Sequence, residues 1–239
     1  MDETIEEAFE KVVTSKEREE VVFVSLAKAL AQIEDKYGPK GLEPRKYHNG
    51  EHTREVLRAA WLLGNKARAQ DKINDQELQL LLIGAVFHDF VHEVGAPNNE
   101  ENSAAAAAEA MSEAGVFSEQ EIETVKDMIA GTKVSRTPEG AIKQSADGRG
   151  LLAQFLADAD LWKFGGASPE SFWASSVQYF EETEGRSATT DDLPNLRQQL
   201  VVMLDMHDYY TDEARQLFAS KEVLKQHILK APANILLAV

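Results

Sequence analysis

The sequence predicts an all-α fold, a single-domain helical bundle, on three observations. Apolar residues recur at three- and four-residue intervals along nearly the whole chain. No segment alternates apolar and polar residues as a half-buried strand would. The size and composition, 239 residues with 43% hydrophobic and 28% charged, suit one folded domain, taken here as 1–239.

Taken in order, EREEVVFVSLAKALAQIEDKYG (17–38) is the first predicted helix, stopped by Gly38 and Pro39. HTREVLRAAWLLGNKARA (52–69) is a second amphipathic helix. ELQLLLIGAVFHDF (77–90) is apolar on nearly all sides, as a helix at the centre of a bundle would be. NSAAAAAEAMSEAG (102–115) is helical by composition and closes on glycine. SEQEIETVKDMIAGT (118–132) opens with Ser118 and Glu121 at capping-box separation. TPEGAIKQSADGRG (137–150) reads as a loop, and no strand is assigned. LLAQFLADADLWKFGG (151–166), SPESFWASSVQYFEETEG (168–185) and NLRQQLVVMLDMHDYYTDEARQLF (195–218) complete the helices. Trp162, Phe164, Phe172 and Trp173 fall at helical spacing and are assigned to the core, not to a base-stacking platform.

Bulk properties remove several functions. A net charge of −16 argues against nucleic acid or an anionic membrane as partner. A small phosphorylated substrate stays compatible, because a bound metal reverses the sign of the local field. The absence of cysteine excludes disulfides and thiolate metal sites. No apolar run is long enough to span a bilayer, and MDETIEEAFEKVV lacks the pattern of a secretory signal. The expected location is therefore cytoplasmic.

The chemistry-bearing residues are concentrated in three places. YHNGEHTREVL holds His48 and His52, and FHDFVHEV holds His88 and His92, which leaves two of the six histidines elsewhere. On a helix, residues four apart share a face, so each pair could aim two imidazoles one way. Asp89 follows His88, and Asp158 and Asp160 stand on a third predicted helix in LADADL. Each piece alone has an ordinary structural explanation. Together they are a donor set for a divalent Fe, Mn, Co, Zn or Mg ion. His88 and Asp89 add weight because an apolar helix buries ionisable groups at high cost unless they are partnered. A second His-Asp, His207 and Asp208, has no histidine four residues away and reads as an ordinary polar helix position.

YHNGEH, HDFVHEVGAPNNEENSA and ADADL, in this order, resemble the HD superfamily of metal-dependent phosphohydrolases, over a core of about residues 20–220. The resemblance implies an all-helical fold in which His52, His88, Asp89 and Asp160 are metal ligands, with Asp158 as second choice for the distal position. YHNxxH and HDxxH are similar to motifs of cyclic-nucleotide phosphodiesterases, which implies His48 as general acid and His92 as holder of a second ion or its bridging water. Asp89 would then serve catalysis by bridging two ions. Asn99 and Glu100 become pocket candidates, and Arg45, Lys46, Arg54 and Lys133 are cations available to a substrate. The pattern departs from those phosphodiesterases at Glu93, where they usually carry proline. It lacks the Gly-Tyr-Pro motif of cyclic-di-GMP hydrolases, and no purine clamp of glutamine and aromatics is identifiable. The implied function is hydrolysis of a small phosphomonoester or phosphodiester, nucleotide-like, with one or two metal ions. Two alternatives stay open: a di-iron oxygenase of the HD type, and a metal-containing module that binds a ligand without catalysis.

Overall fold

The computed structural model describes residues 5–136 and 142–230, with side chains described from residue 16 onward except those of Arg136 and Ile142. Residues 137–141 of the predicted loop and both ends of the 1–239 span lie outside the described residues. Among these, the helices are α1 (Ile5–Tyr37), α2 (Gly50–Arg68), α3 (Asp75–Phe87), α4 (Asn99–Ala114), α5 (Glu119–Gly131), α6 (Leu151–Asp160), α7 (Lys163–Gly166), α8 (Pro169–Glu184), α9 (Leu193–Met206), α10 (Asp212–Leu217) and α11 (Lys221–Lys230). The all-α expectation holds, and no described helix is long and apolar enough to cross a membrane.

Local chemistry sets the boundaries. The Gly38 amide closes on the Glu34 carbonyl at 2.9 Å, ending α1 where the Gly-Pro pair predicts. Asn49 caps α2 by accepting from the amides of Glu51 and His52. Asn74 and Glu77 form a capping box on α3, and Ser118 and Glu121 form the predicted one on α5. Gly115 ends α4 at φ 68°, a conformation that costs glycine little.

Helix α3 lies at the centre, against α1, α2, α4, α5 and α6, as its all-round apolar sequence predicts. A Cβ at Gly84 would meet Leu156 at 3.2 Å and Met128 at 3.3 Å, so the glycine lets α5 and α6 close on α3. One continuous core runs from Val22 to Ile228. Leu224 and Ile228 of α11 are fully buried in it, so the core reaches beyond residue 220.

Four expectations are corrected. The 195–218 segment is two helices: His207 is extended at ψ 135°, and Thr211 caps α10. The 151–166 segment breaks after Asp160, its last α6 residue, before the short α7. Two three-residue strands, β1 (Val134–Arg136) and β2 (Ile142–Gln144), pair antiparallel with Val134 opposite Gln144. Strands so short cannot display alternation, which is why the sequence hides them. Finally, α2 starts after His48 and α3 ends before His88, so neither histidine pair lies on one helical face.

Candidate metal centre and cleft

The side chains nevertheless converge, and tertiary packing does what helical spacing was expected to do. His52 comes from the first turn of α2, His88 and Asp89 from the turn leaving α3, and Asp160 from the end of α6. His88 Nε2 lies 3.3 Å from His52 Nε2, 3.1 Å from Asp89 Oδ2 and 3.6 Å from Asp160 Oδ1. His52 Nε2 lies 3.4 Å from each of the same two carboxylate oxygens. Donors held by one ion at about 2.1 Å stand about 3.0 Å apart at right angles and about 3.4 Å apart in a tetrahedron. The separations among His52, His88 and the Asp89 oxygen, 3.1–3.4 Å, fall in that range; Asp160 Oδ1 stands 3.4 Å from His52 and 3.6 Å from His88, slightly wider for the second.

The donor chemistry also fits. His88 Nδ1–H donates to the Ala85 carbonyl at 2.8 Å, which leaves Nε2 with its lone pair toward the cluster. Gln144 Nε2 donates to Asp160 Oδ2 at 2.9 Å, leaving Oδ1 directed at the two imidazoles. Two imidazole nitrogens and two carboxylates, all buried or nearly so, call for positive charge between them. Burial pushes the His52 and His88 pKa values down, but the hydrogen bonds and charges of Asp89 and Asp160 overcome it and raise both. For Asp89 and Asp160, burial pushes upward and the imidazoles win, holding both carboxyls below their ordinary range.

A second cluster adjoins the first. His48 and His92 stack with ring centroids 3.7 Å apart, and their donor atoms lie within 4.8 Å of a Glu182 oxygen from α8 and of each other. Glu182 accepts from the amides of Tyr47 at 2.7 Å and His48 at 3.2 Å, and its Oε1 is 2.5 Å from His48 Nδ1. Burial would raise the Glu182 pKa, yet His48 and the two amides bring it to about 2. His48 Nε2 faces the first cluster, 4.0 Å from Asp89 Oδ2. The His92 segment is fixed at both sides of its peptide: its amide donates to Tyr37 Oη at 2.9 Å, and its carbonyl accepts from Arg45 Nη2 at 3.2 Å.

Both clusters open onto a cleft of about 620 Å³ whose far wall is α8 and α9. A similarly large groove, about 670 Å³, runs between α1 and α4, but it contains no histidine and lies away from both clusters. Both donor groups therefore belong to the cleft.

Of the sequence candidates, His48, Asp89, His92, Asn99, Glu100 and Asp160 line the cleft, and His52 and His88 lie behind them. Asn99 clamps the approach to α4 by bonding both the amide and the carbonyl of Glu93. Burial raises the Glu100 pKa. Asp158 is no partner of the imidazoles. Two residues before Asp160, it points to the other side of α6 and accepts from Tyr210 N, Thr211 N and Thr211 Oγ1. Arg45 and Lys133 do not line the cleft. Arg45 supports His92, and Lys133 bonds Glu101 at 2.6 Å and the Pro97 carbonyl at 2.7 Å. Lys46 is likewise paired with Glu181, and Arg54 with Glu34. Phe164, Phe172 and Trp173 are core residues as expected; the first two also contribute to the cleft floor.

Sequence reading missed three residues. Glu182 sits in EETEG among several acids, with nothing to single it out. Gln144 lies in the hidden strand β2. Lys163, buried in the cleft wall against Ser175 and Glu55, was signalled by a lone cation within the otherwise apolar LWKFGG.

A scan against protein-family models finds no match, and searches of the curated proteins and of the solved structures also find none.

Proposed function

We propose that this chain is a metal-dependent phosphohydrolase of the HD type, cleaving a small phosphomonoester or phosphodiester. The observation that carries the reading is the convergence, from three separate segments, of the His52 and His88 imidazoles on each other and on the carboxylates of Asp89 and Asp160, at 3.1–3.6 Å, beside a cleft. These four residues would hold the ion. When bound, a divalent ion activates water for attack at phosphorus and neutralises phosphoryl charge.

The remaining chemistry is the chain's own. His48 is oriented by Glu182 on Nδ1, which leaves Nε2 facing the cleft to deliver a proton to the leaving oxygen. Glu182 acts through His48 as a positioning residue. Gln144 keeps Asp160 turned toward the imidazoles.

The test is metal content of protein purified without chelator, with hydrolysis assayed over a panel of phosphomonoesters and diesters. His88→Ala/Asp89→Ala is the control. Metal at one or two per chain, lost in the variant together with hydrolysis, supports the reading. The second cluster favours one alternative, since His48, His92 and Glu182 offer donors for another ion. Iron at two per chain, oxygen consumption and no hydrolysis would move the assignment to a di-iron oxygenase. Metal retention with neither activity would leave a ligand-binding module.

A further inference from the structure

We infer that the cleft selects a ligand with one phosphoryl group and an uncharged, apolar organic part, and turns away polyphosphates. The inference rests on the phosphohydrolase reading and specifies its substrate.

Charge carries the first half. The carboxylates lining the cleft are Asp89, Asp160, Glu100, Glu182 and Glu184. A divalent ion offsets Asp89 and Asp160. Glu182 is held by His48 and two amides, so Glu100 and Glu184 are left with Lys163, the only lysine or arginine among the described lining residues. Lys163 is itself committed, with Nζ 2.5 Å from Glu55 Oε2 and 2.6 Å from Ser175 Oγ. Lys46 and Lys133 are tied to Glu181 and Glu101. One phosphoryl group can use the ion. A second or third would lie beside Glu100 or Glu184 with no further lysine or arginine among the described lining residues, and like charges repel.

The wall carries the second half. Phe164, Phe172, Phe180, Leu196, Leu200 and Met203 form an apolar surface beside the clusters. It continues to the mouth through Val94, Val134 and Tyr179, which are 38%, 44% and 38% exposed. The polar groups added by α9 are the neutral amides of Asn195 and Gln199, which hydrogen-bond without adding charge. Within a cleft of mixed polarity, this apolar surface and its apolar lip give an organic group of matching polarity a place to bind.

Binding and turnover are measured on the full chain, with metal in excess so that chelation does not strip the site. Calorimetry compares 2-phenylethylphosphonate, 2-hydroxyethylphosphonate and a methylene-bridged nucleoside triphosphate. Turnover compares 2-phenylethyl phosphate, 2-hydroxyethyl phosphate and a nucleoside triphosphate. The phenylethyl compound is expected to bind at least about ten-fold tighter than either other probe, from the apolar area it buries and the repulsion it avoids. Glu184→Lys should move the triphosphate-to-phenylethyl ratio about five-fold or more toward the triphosphate. A triphosphate that binds as tightly as the phenylethyl compound, or a hydroxyethyl compound that equals it, overturns the inference even if hydrolysis occurs. The expected ranking without turnover of any ester keeps the selectivity and removes the phosphohydrolase reading instead.

Discussion

The dipeptide His-Asp occurs twice in this chain, and each copy closes a helix: His88 follows α3 and His207 follows α9. Both rings are buried, at 1% and 6% exposure. Their surroundings differ completely. His88 meets another imidazole and two carboxylates, which raise its pKa against the opposing effect of burial. His207 lies between the rings of Phe164 and Tyr209, its Nε2 has no hydrogen-bond partner, and burial with the nearby Lys221 charge lowers its pKa to about 4. Asp89 turns inward to the cluster, whereas Asp208 is largely exposed and meets Arg215 at 3.4 Å. The pair of letters is therefore not the site. Partners brought from α2 and α6 make one copy part of a donor group that could hold a cation and leave the other a core residue whose burial favours the neutral ring.

The strongest way to break this comparison is to delete each dipeptide in turn. His88→Ala/Asp89→Ala should abolish metal binding and lower hydrolysis by at least about 10³-fold. His207→Ala/Asp208→Ala should keep the metal stoichiometry and lower only stability. Elemental analysis and thermal melts of both variants decide it, and metal loss from the second would show that the two copies are linked.

Glu182→Gln should lower kcat about 10²-fold with little change in KM and a shifted pH profile, because His48 loses its orienting carboxylate. An unchanged profile would reduce Glu182 to a structural contact. Gln144→Leu should weaken metal binding about 10–100-fold by freeing Asp160 Oδ2, read by competition with a fluorescent chelator.

For His207 the pH sign is fixed by linkage. Its folded-state pKa of about 4 lies below the unfolded value of about 6.5, so the unfolded chain binds more protons between them. The neutral ring's contribution is fully present above about pH 6.5 and is lost as pH falls toward 4, up to about 3 kcal/mol. His207→Leu should flatten that part of the stability curve in denaturant melts at pH 4–7, and an unchanged slope would show that the ring is charged in the fold. Smallest of all, Asp208→Asn should change stability by less than about 0.5 kcal/mol, because its ion pair is exposed.

Much of the fold is readable from local rules. The Gly-Pro stop after α1, the Ser118–Glu121 box and the α3 segment, apolar on nearly all sides, depend on contacts within a few residues or on a pattern that one helix displays by itself. That His88 and Asp89 need partners was readable too, because ionisable groups in an apolar helix are costly to bury alone; His52, and Asp160 rather than Asp158, entered only through the resemblance to the HD superfamily.

How those residues meet was not readable. The spacing of four suggested helical faces, but Asn49 starts α2 after His48 and α3 stops at Phe87, so His48 and His92 arrive from loops. Asp158 and Asp160 are equivalent by composition. They part because one side of α6 faces the 209–211 segment and the other faces the imidazoles. Gln144 and Glu182 gain their roles 16 and 134 residues away from their partners, through a hairpin and through the packing of α8. Short-range hydrogen bonds and hydrophobic period are written in neighbouring letters. The convergence of donors depends on which helix faces are buried against each other, and that is a property of the whole core.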